Sequence, residues 1–79
     1  MNKKVIIYST PSCHYCVQAK EFFTRNGIKY QEFDVQSDLK RRKEMVDKSG
    51  QMGVPVIFVG DEIVRGFDED KLRKLLGIK

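Results

Sequence analysis

The chain has 79 residues, 41% of them hydrophobic, with five Phe, three Tyr and no Trp, and its fifteen Lys and Arg against eleven Asp and Glu leave a net charge of +4. That length predicts one small domain over residues 1–79, since a domain takes on the order of 100 residues, and the apolar content excludes a disordered tail. No apolar run approaches the roughly 18 residues of a membrane span, no signal peptide is expected, and two cysteines are too few for a disulfide-stapled secreted scaffold. These exclusions predict a cytoplasmic protein, expected to be a monomer, with no membrane contact. Four of the basic residues form one run, Lys40-Arg41-Arg42-Lys43, and the others are interspersed with acids. No basic stripe suited to nucleic acid results.

In chain order, Val5-Ile6-Ile7-Tyr8 is a continuous β-branched run of the kind found in strands buried on both faces. Ser9-Thr10-Pro11-Ser12 breaks it. From Cys13 to Asn26 the spacing turns helical, placing Cys16, Ala19, Phe22 and Phe23 on one face. Gly27 then supplies a left-handed stop. Residues 28–35 read as a second strand of imperfect alternation. Ser37 or Asp38 caps a second helix that runs to about Ser49 and ends at Gly50. Its apolar face is thin (Leu39, Met45, Val46), so it is expected at the surface. Gly53-Val54-Pro55 leads into a third strand, Val56-Ile57-Phe58-Val59, and Gly60-Asp61 suits a tight hairpin turn. Glu62-Ile63-Val64 is the return strand. Asp68 opens a last helix with Leu72, Leu75 and Leu76 on one face and Gly77 after it. The order β-α-β-α-β-β-α predicts a parallel first pair with a right-handed crossover and an antiparallel last pair. The expected fold is α/β, a four-stranded mixed sheet with helices on both faces.

The chemistry lies in Cys13-His14-Tyr15-Cys16 at the first strand-to-helix junction. A helix start presents unpaired N–H groups and about half a positive charge. A sulfur there accepts those N–H groups far better as a thiolate than as a thiol, so Cys13 is the expected nucleophile. Cys16 is one turn further in, on the apolar side, and is the expected resolving thiol. His14 either favours the thiolate when cationic or is a solvated first-turn residue. A zinc site takes about four ligands, and two Cys with the single His offer three, with His14 wedged between the sulfurs. No metal is expected. Two inert buried cysteines are the bland alternative to a redox dithiol.

Pro55 directly precedes a strand, a poor place for an ordinary trans proline. A cis Val54–Pro55 bond would turn the Val54 backbone outward, where its N–H and C=O could pair with an extended peptide beside Cys13. A trans proline at the first residue of a strand is the alternative.

Four segments in this order resemble the glutaredoxins, a small branch of the thioredoxin fold: Cys13-His14-Tyr15-Cys16, Ser49-Gly50, Gly53-Val54-Pro55 and Gly66-Phe67-Asp68. The resemblance spans essentially the whole chain. It implies a cis proline and a dithiol oxidoreductase that reduces protein disulfides or glutathione mixed disulfides, with no bound cofactor and glutathione as reducing co-substrate. It further implies that Tyr15, Val54 with Pro55, Arg42, and Gly66, Phe67 and Asp68 hold glutathione. Physical chemistry suits that role: Arg42 or a neighbour can pair a carboxylate, and the Phe67 and Asp68 N–H groups at a helix start can hold another.

Departures from the family pattern are His14 for the usual Pro, Thr10 for a common Lys, Gly53 for Thr, and Arg65 for the first Gly of a pair. Gly66-Phe67 also resembles glutaredoxin-like reductants of ribonucleotide reductase, which take electrons from thioredoxin reductase. Asp68 points back to glutathione, because those reductants tend to carry a basic residue there. A third reading, an iron–sulfur cluster held between two subunits by Cys13 and glutathione, is opposed by His14 and Cys16. The Lys40-Arg41-Arg42-Lys43 run reads as a solvated helix face or, in part, as an attractor for anionic glutathione. Phe67 and the Leu72, Leu75 and Leu76 stripe read as core rather than contact surface.

Overall fold

A computed structural model describes residues 3–78. Seven elements follow one another: β1 (Val5–Ser9), α1 (His14–Arg25), β2 (Gln31–Asp34), α2 (Leu39–Ser49), β3 (Val56–Val59), β4 (Glu62–Arg65) and α3 (Glu69–Leu76). The strands form one sheet in the order β2-β1-β3-β4. β1 and β2 are parallel, while β3 is antiparallel to both β1 and β4. This is the mixed sheet expected from the element order.

Strand alternation divides the core in two. Val5 and Ile7 of β1, Ile57 and Val59 of β3 and Val64 of β4 pack with Ala19, Phe22, Phe23 and Leu72, so α1 and α3 share one face of the sheet. Tyr8 and Val56 turn to the other face and pack with Val35 and Met45 beneath α2. α2 lies across the strands in sheet order. Arg41 sits 3.9 Å over the Phe33 ring of β2, the Tyr8 hydroxyl of β1 donates to Glu44, Lys48 approaches the Phe58 ring of β3 at 5.9 Å, and Arg65 Nε of β4 donates to the Ser49 carbonyl at 2.8 Å. One surface helix therefore ties together all four strands.

Some expectations need correction. β2 begins at Gln31 rather than residue 28, because Gly27 (φ 66°) ends α1 and the Ile28 amide is drawn back to the Phe23 carbonyl at 2.8 Å. Of the two residues expected to cap α2, Asp38 does so, accepting the Arg41 amide at 3.2 Å. Leu39 is 69% exposed and takes no part in the apolar face; Ser49, one turn after buried Met45, takes that place and returns its hydroxyl to the Met45 carbonyl at 2.6 Å. Two strands also run one residue further than expected, to Ser9 and Arg65.

The registers set the functional end of the molecule. Ser9 pairs Asp34, and Val56 pairs both Tyr8 and Arg65. The chain ends of β1, β2 and β4 and the start of β3 therefore meet at one end of the sheet. Residues 10–13, 54–55 and 66–68 emerge there together, and α1 and α3 both begin there. No helix among the described residues is long and apolar enough to cross a membrane.

Candidate active site

Cys13 is the N-cap of α1, in extended backbone conformation (φ −82°, ψ 113°), and its Sγ accepts the Cys16 amide at 3.2 Å. Its own amide donates to the Thr10 carbonyl at 3.2 Å, closing the turn that follows β1. The Cys13 side chain is partly exposed, whereas Cys16 is 0% exposed, packed under the first turn. Burial pushes the Cys16 thiol up to about 12, and the adjacent Cys13 adds to the rise, while the Thr10 backbone and Lys20 oppose it. The first sulfur is thus open to solvent in part and the second is not.

Tyr15, between the two cysteines, is 60% exposed and edge-on to the exposed His14 ring at 6.2 Å. The first turn of α1 contains no acid. Across from it, the Val54–Pro55 peptide is cis. Pro55 is buried and its carbonyl accepts the Gly66 amide at 2.8 Å, which ties the third segment to the second. The Val54 side chain packs inward toward the α2 face. Neither the N–H nor the C=O of Val54 has a hydrogen-bond partner among the described residues. Gln51 braces this loop, its side chain donating to the Gly53 carbonyl at 3.0 Å.

Asp68 caps α3, accepting the Lys71 amide at 3.1 Å through Oδ1. Phe67 packs its ring against the core beside Phe22, with centroids 5.8 Å apart, and stays partly exposed. The two arginines of the α2 run part company. Arg41 is engaged with Phe33 and with Glu44 at 3.1 Å, while Arg42 is exposed and makes no ion pair among the described residues. No three His, Cys, Asp or Glu stand together as metal ligands among the described residues.

Two features escape the sequence reading. Lys20, four residues after Cys16, pairs Glu32 of β2 at 2.8 Å, and buried Ser9 donates to the same carboxylate oxygen at 2.6 Å. The lysine draws the Glu32 carboxyl below its ordinary range, and the carboxylate in turn raises Lys20. The i, i+4 spacing of Cys16 and Lys20 was a visible signal; the partner on a strand was not. Arg65, noted only as a departure from a Gly pair, closes the end of α2. A cavity of about 540 Å³ between Lys3, residues 27–31 and Leu75 with Leu76 contains none of the reactive residues. It lies at the other end of the strands, so the site is located by its chemistry rather than by volume.

A protein-family model described as Glutaredoxin matches residues 5–64. A glutaredoxin-like 8.6 kDa protein of the rubredoxin operon of Clostridium pasteurianum is 40% identical over 70 residues, covering 89% of this chain and 93% of the relative. Glutaredoxin 3 of Escherichia coli is 34% identical over 65 residues, covering 82% of this chain and 78% of its own. Among solved structures, the thioredoxin-like protein BC3987 superposes with a TM-score of 0.87 at 36% identity, over 92% of this chain and 100% of its own. The same end of the same sheet holds the cysteine pair and the cis proline that the resemblance implied.

Proposed function

The chain belongs to the glutaredoxin family, which makes it a thiol–disulfide oxidoreductase, and from that premise we propose that Cys13 attacks, Cys16 resolves and glutathione is the electron donor. In the first step the Cys13 thiolate attacks a substrate disulfide; one substrate sulfur leaves and the other remains bonded to Cys13. Cys16 then displaces it, closing the Cys13–Cys16 disulfide as the substrate leaves fully reduced. Two glutathione molecules return the dithiol to its reduced form and leave joined as glutathione disulfide. Where the substrate is a glutathione mixed disulfide, a second glutathione can take the place of Cys16.

The observation that carries the glutathione reading is the unpaired Val54 backbone beside the cysteines. An extended tripeptide supplies one donor and one acceptor to meet it, in the manner of a strand added to an edge. Glutathione also carries two carboxylates and one ammonium. The N–H groups opening α3 suit its γ-glutamyl carboxylate, the free oxygen of Asp68 suits the ammonium, and Arg42 suits the glycine carboxylate. Tyr15 and Pro55 flank the path.

A second reading, recharging by thioredoxin reductase, draws on Asp68 already being occupied as the cap of α3 and on the likeness to a thioredoxin-like protein. A coupled NADPH assay separates the two. Turnover with glutathione and its reductase, saturating in glutathione, is expected. Efficient turnover with thioredoxin reductase alone would replace this proposal with the second reading.

A further inference from the structure

We propose that Lys20, pinned by Glu32, is the positioning residue that enables the buried Cys16 sulfur to resolve the mixed disulfide. The proposal rests on the two-cysteine reading above and adds a residue outside the motif. Cys16 and Lys20 are four residues apart in α1 and so neighbour each other along the helix. The sulfur is fully buried. Burial and the adjacent Cys13 both resist the negative charge that Cys16 must carry in order to attack.

A lysine on a helix surface ordinarily carries its ammonium out into water. Here Nζ stands 2.8 Å from Glu32 Oε2, and the hydroxyl of Ser9, itself 1% exposed, donates to that oxygen at 2.6 Å. Three elements, α1, β1 and β2, thus hold one cation on a residue one helical turn after Cys16. The groups facing Lys20 are Glu32 and Tyr30 from the β2 side and Cys16 from its own helix. Those facing Cys16 are Cys13, Lys20 and the Thr10 backbone. Asp34 faces Glu32 from along the same strand. Lys20 is the cation in the Cys16 set, and it works against the rise caused by burial.

The step balances without any added reagent. The Cys16 thiol loses its proton to solvent, the thiolate forms the bond to Cys13 Sγ, the bond from Cys13 to the substrate sulfur breaks, and the leaving thiolate takes up a proton. Lys20 exchanges no proton in this account. It lowers the cost of the anion that attacks, and Glu32 with Ser9 keeps it from drifting away.

Mixing the reduced protein with dithiobis(nitrobenzoate) separates the steps, because one chromophore leaves when Cys13 attacks and a second when Cys16 resolves. Lys20→Met should slow the second phase roughly two- to fourfold at neutral pH, because a less acidic thiol loses more in thiolate fraction than it gains in nucleophilicity. The pH profile of that phase should move upward while the first phase is unchanged. Lys20→Arg, which keeps the charge, should recover most of the rate, and Glu32→Gln should fall between. Equal slowing of both phases in Lys20→Met, or a slower second phase whose pH profile stays in place, would overturn the proposal. The reagent contains no glutathione, so failure here and failure of the donor assay are separate results.

Discussion

The starts of α1 and α3 lie at the same end of the sheet and are built from opposite chemistry. α3 begins as soluble helices usually do: the Asp68 carboxylate accepts the Lys71 amide, and Glu69 and Asp70 follow in the first turn. Three acids meet the positive end of that helix. α2 likewise uses a carboxylate, from Asp38. α1 has a thiol in the cap, no acid in its first turn, and His14 and Tyr15 exposed around it. A carboxylate cap is typically worth about 1 kcal/mol, so α1 forgoes stability at its first turn and keeps its N–H groups and positive end for a sulfur. The unusual cap marks the reactive end more clearly than any cavity does.

The largest expected effect comes from making the α1 cap ordinary. Cys13→Ser should reduce disulfide exchange to the uncatalysed level, while thermal unfolding shows stability held or raised by up to about 1 kcal/mol, since serine caps well. Cys16→Ser should retain reduction of glutathione mixed disulfides and lose reduction of protein disulfides. Equal losses in both variants with every substrate would erase the distinction between the two sulfurs.

A second test concerns stability at alkaline pH, where the α1 turn has a weakness that α3 lacks. Folding raises the Cys16 thiol from 9.0 to about 12 and the Tyr8 phenol from 10.0 to about 12, the first chiefly by burial and the second by burial with the Glu44 hydrogen bond. Both groups hold their protons more tightly when folded. The stability they contribute is therefore complete below those ordinary values and is lost as pH rises toward 12, with a limiting slope of about 1.4 kcal/mol per pH unit for each proton. Denaturant midpoints measured at rising pH should fall from about pH 9 upward, and Cys16→Ala should delay the fall until the tyrosine range.

Smaller effects belong to α3. Asp68→Ala should cost about 0.5–2 kcal/mol as a lost cap. Asp68→Asn preserves the cap and removes the charge. If the free oxygen meets an ammonium, the KM for glutathione should rise about fivefold, the scale of an exposed ion pair near 1 kcal/mol. An unchanged KM would leave Asp68 as a cap alone and strengthen the thioredoxin reductase reading. The smallest effect comes from giving α1 the acid that α3 has. His14→Glu should stabilise the helix by about 0.3–1 kcal/mol and oppose the anionic sulfur, slowing exchange about two- to fivefold, with the difference shrinking as salt is added.

Much of the architecture was legible in the residues because its signals are local. The apolar run of β1, the helical spacing from Cys16 to Phe23, the caps at Asp38 and Asp68 and the stops at Gly27, Gly50 and Gly77 each depend on a few neighbouring residues. The cysteine pair announced itself in the same way, since a helix start alters a sulfur through its own first turn. Where local signals compete, side-chain type misleads: Ile28 has the β-branched side chain of a strand residue, but its amide completes the end of α1. Leu39 looked like core, but it is the first residue of a helix whose buried face begins a turn later.

Composition, spacing and motif order thus determined the succession of elements, the mixed sheet and the place of the cysteine pair at a helix start. Tertiary structure alone decided which of the two adjacent arginines is engaged, where Arg65 reaches, and that Lys20 meets a carboxylate on β2 that Ser9 of β1 also holds. Those contacts join residues 8 to 23 positions apart, and Arg65 and Ser49 are separated by 16. A side chain's partner at that range depends on strand register and on the angle at which a helix crosses the sheet, and neither leaves a trace in the spacing of neighbouring residues.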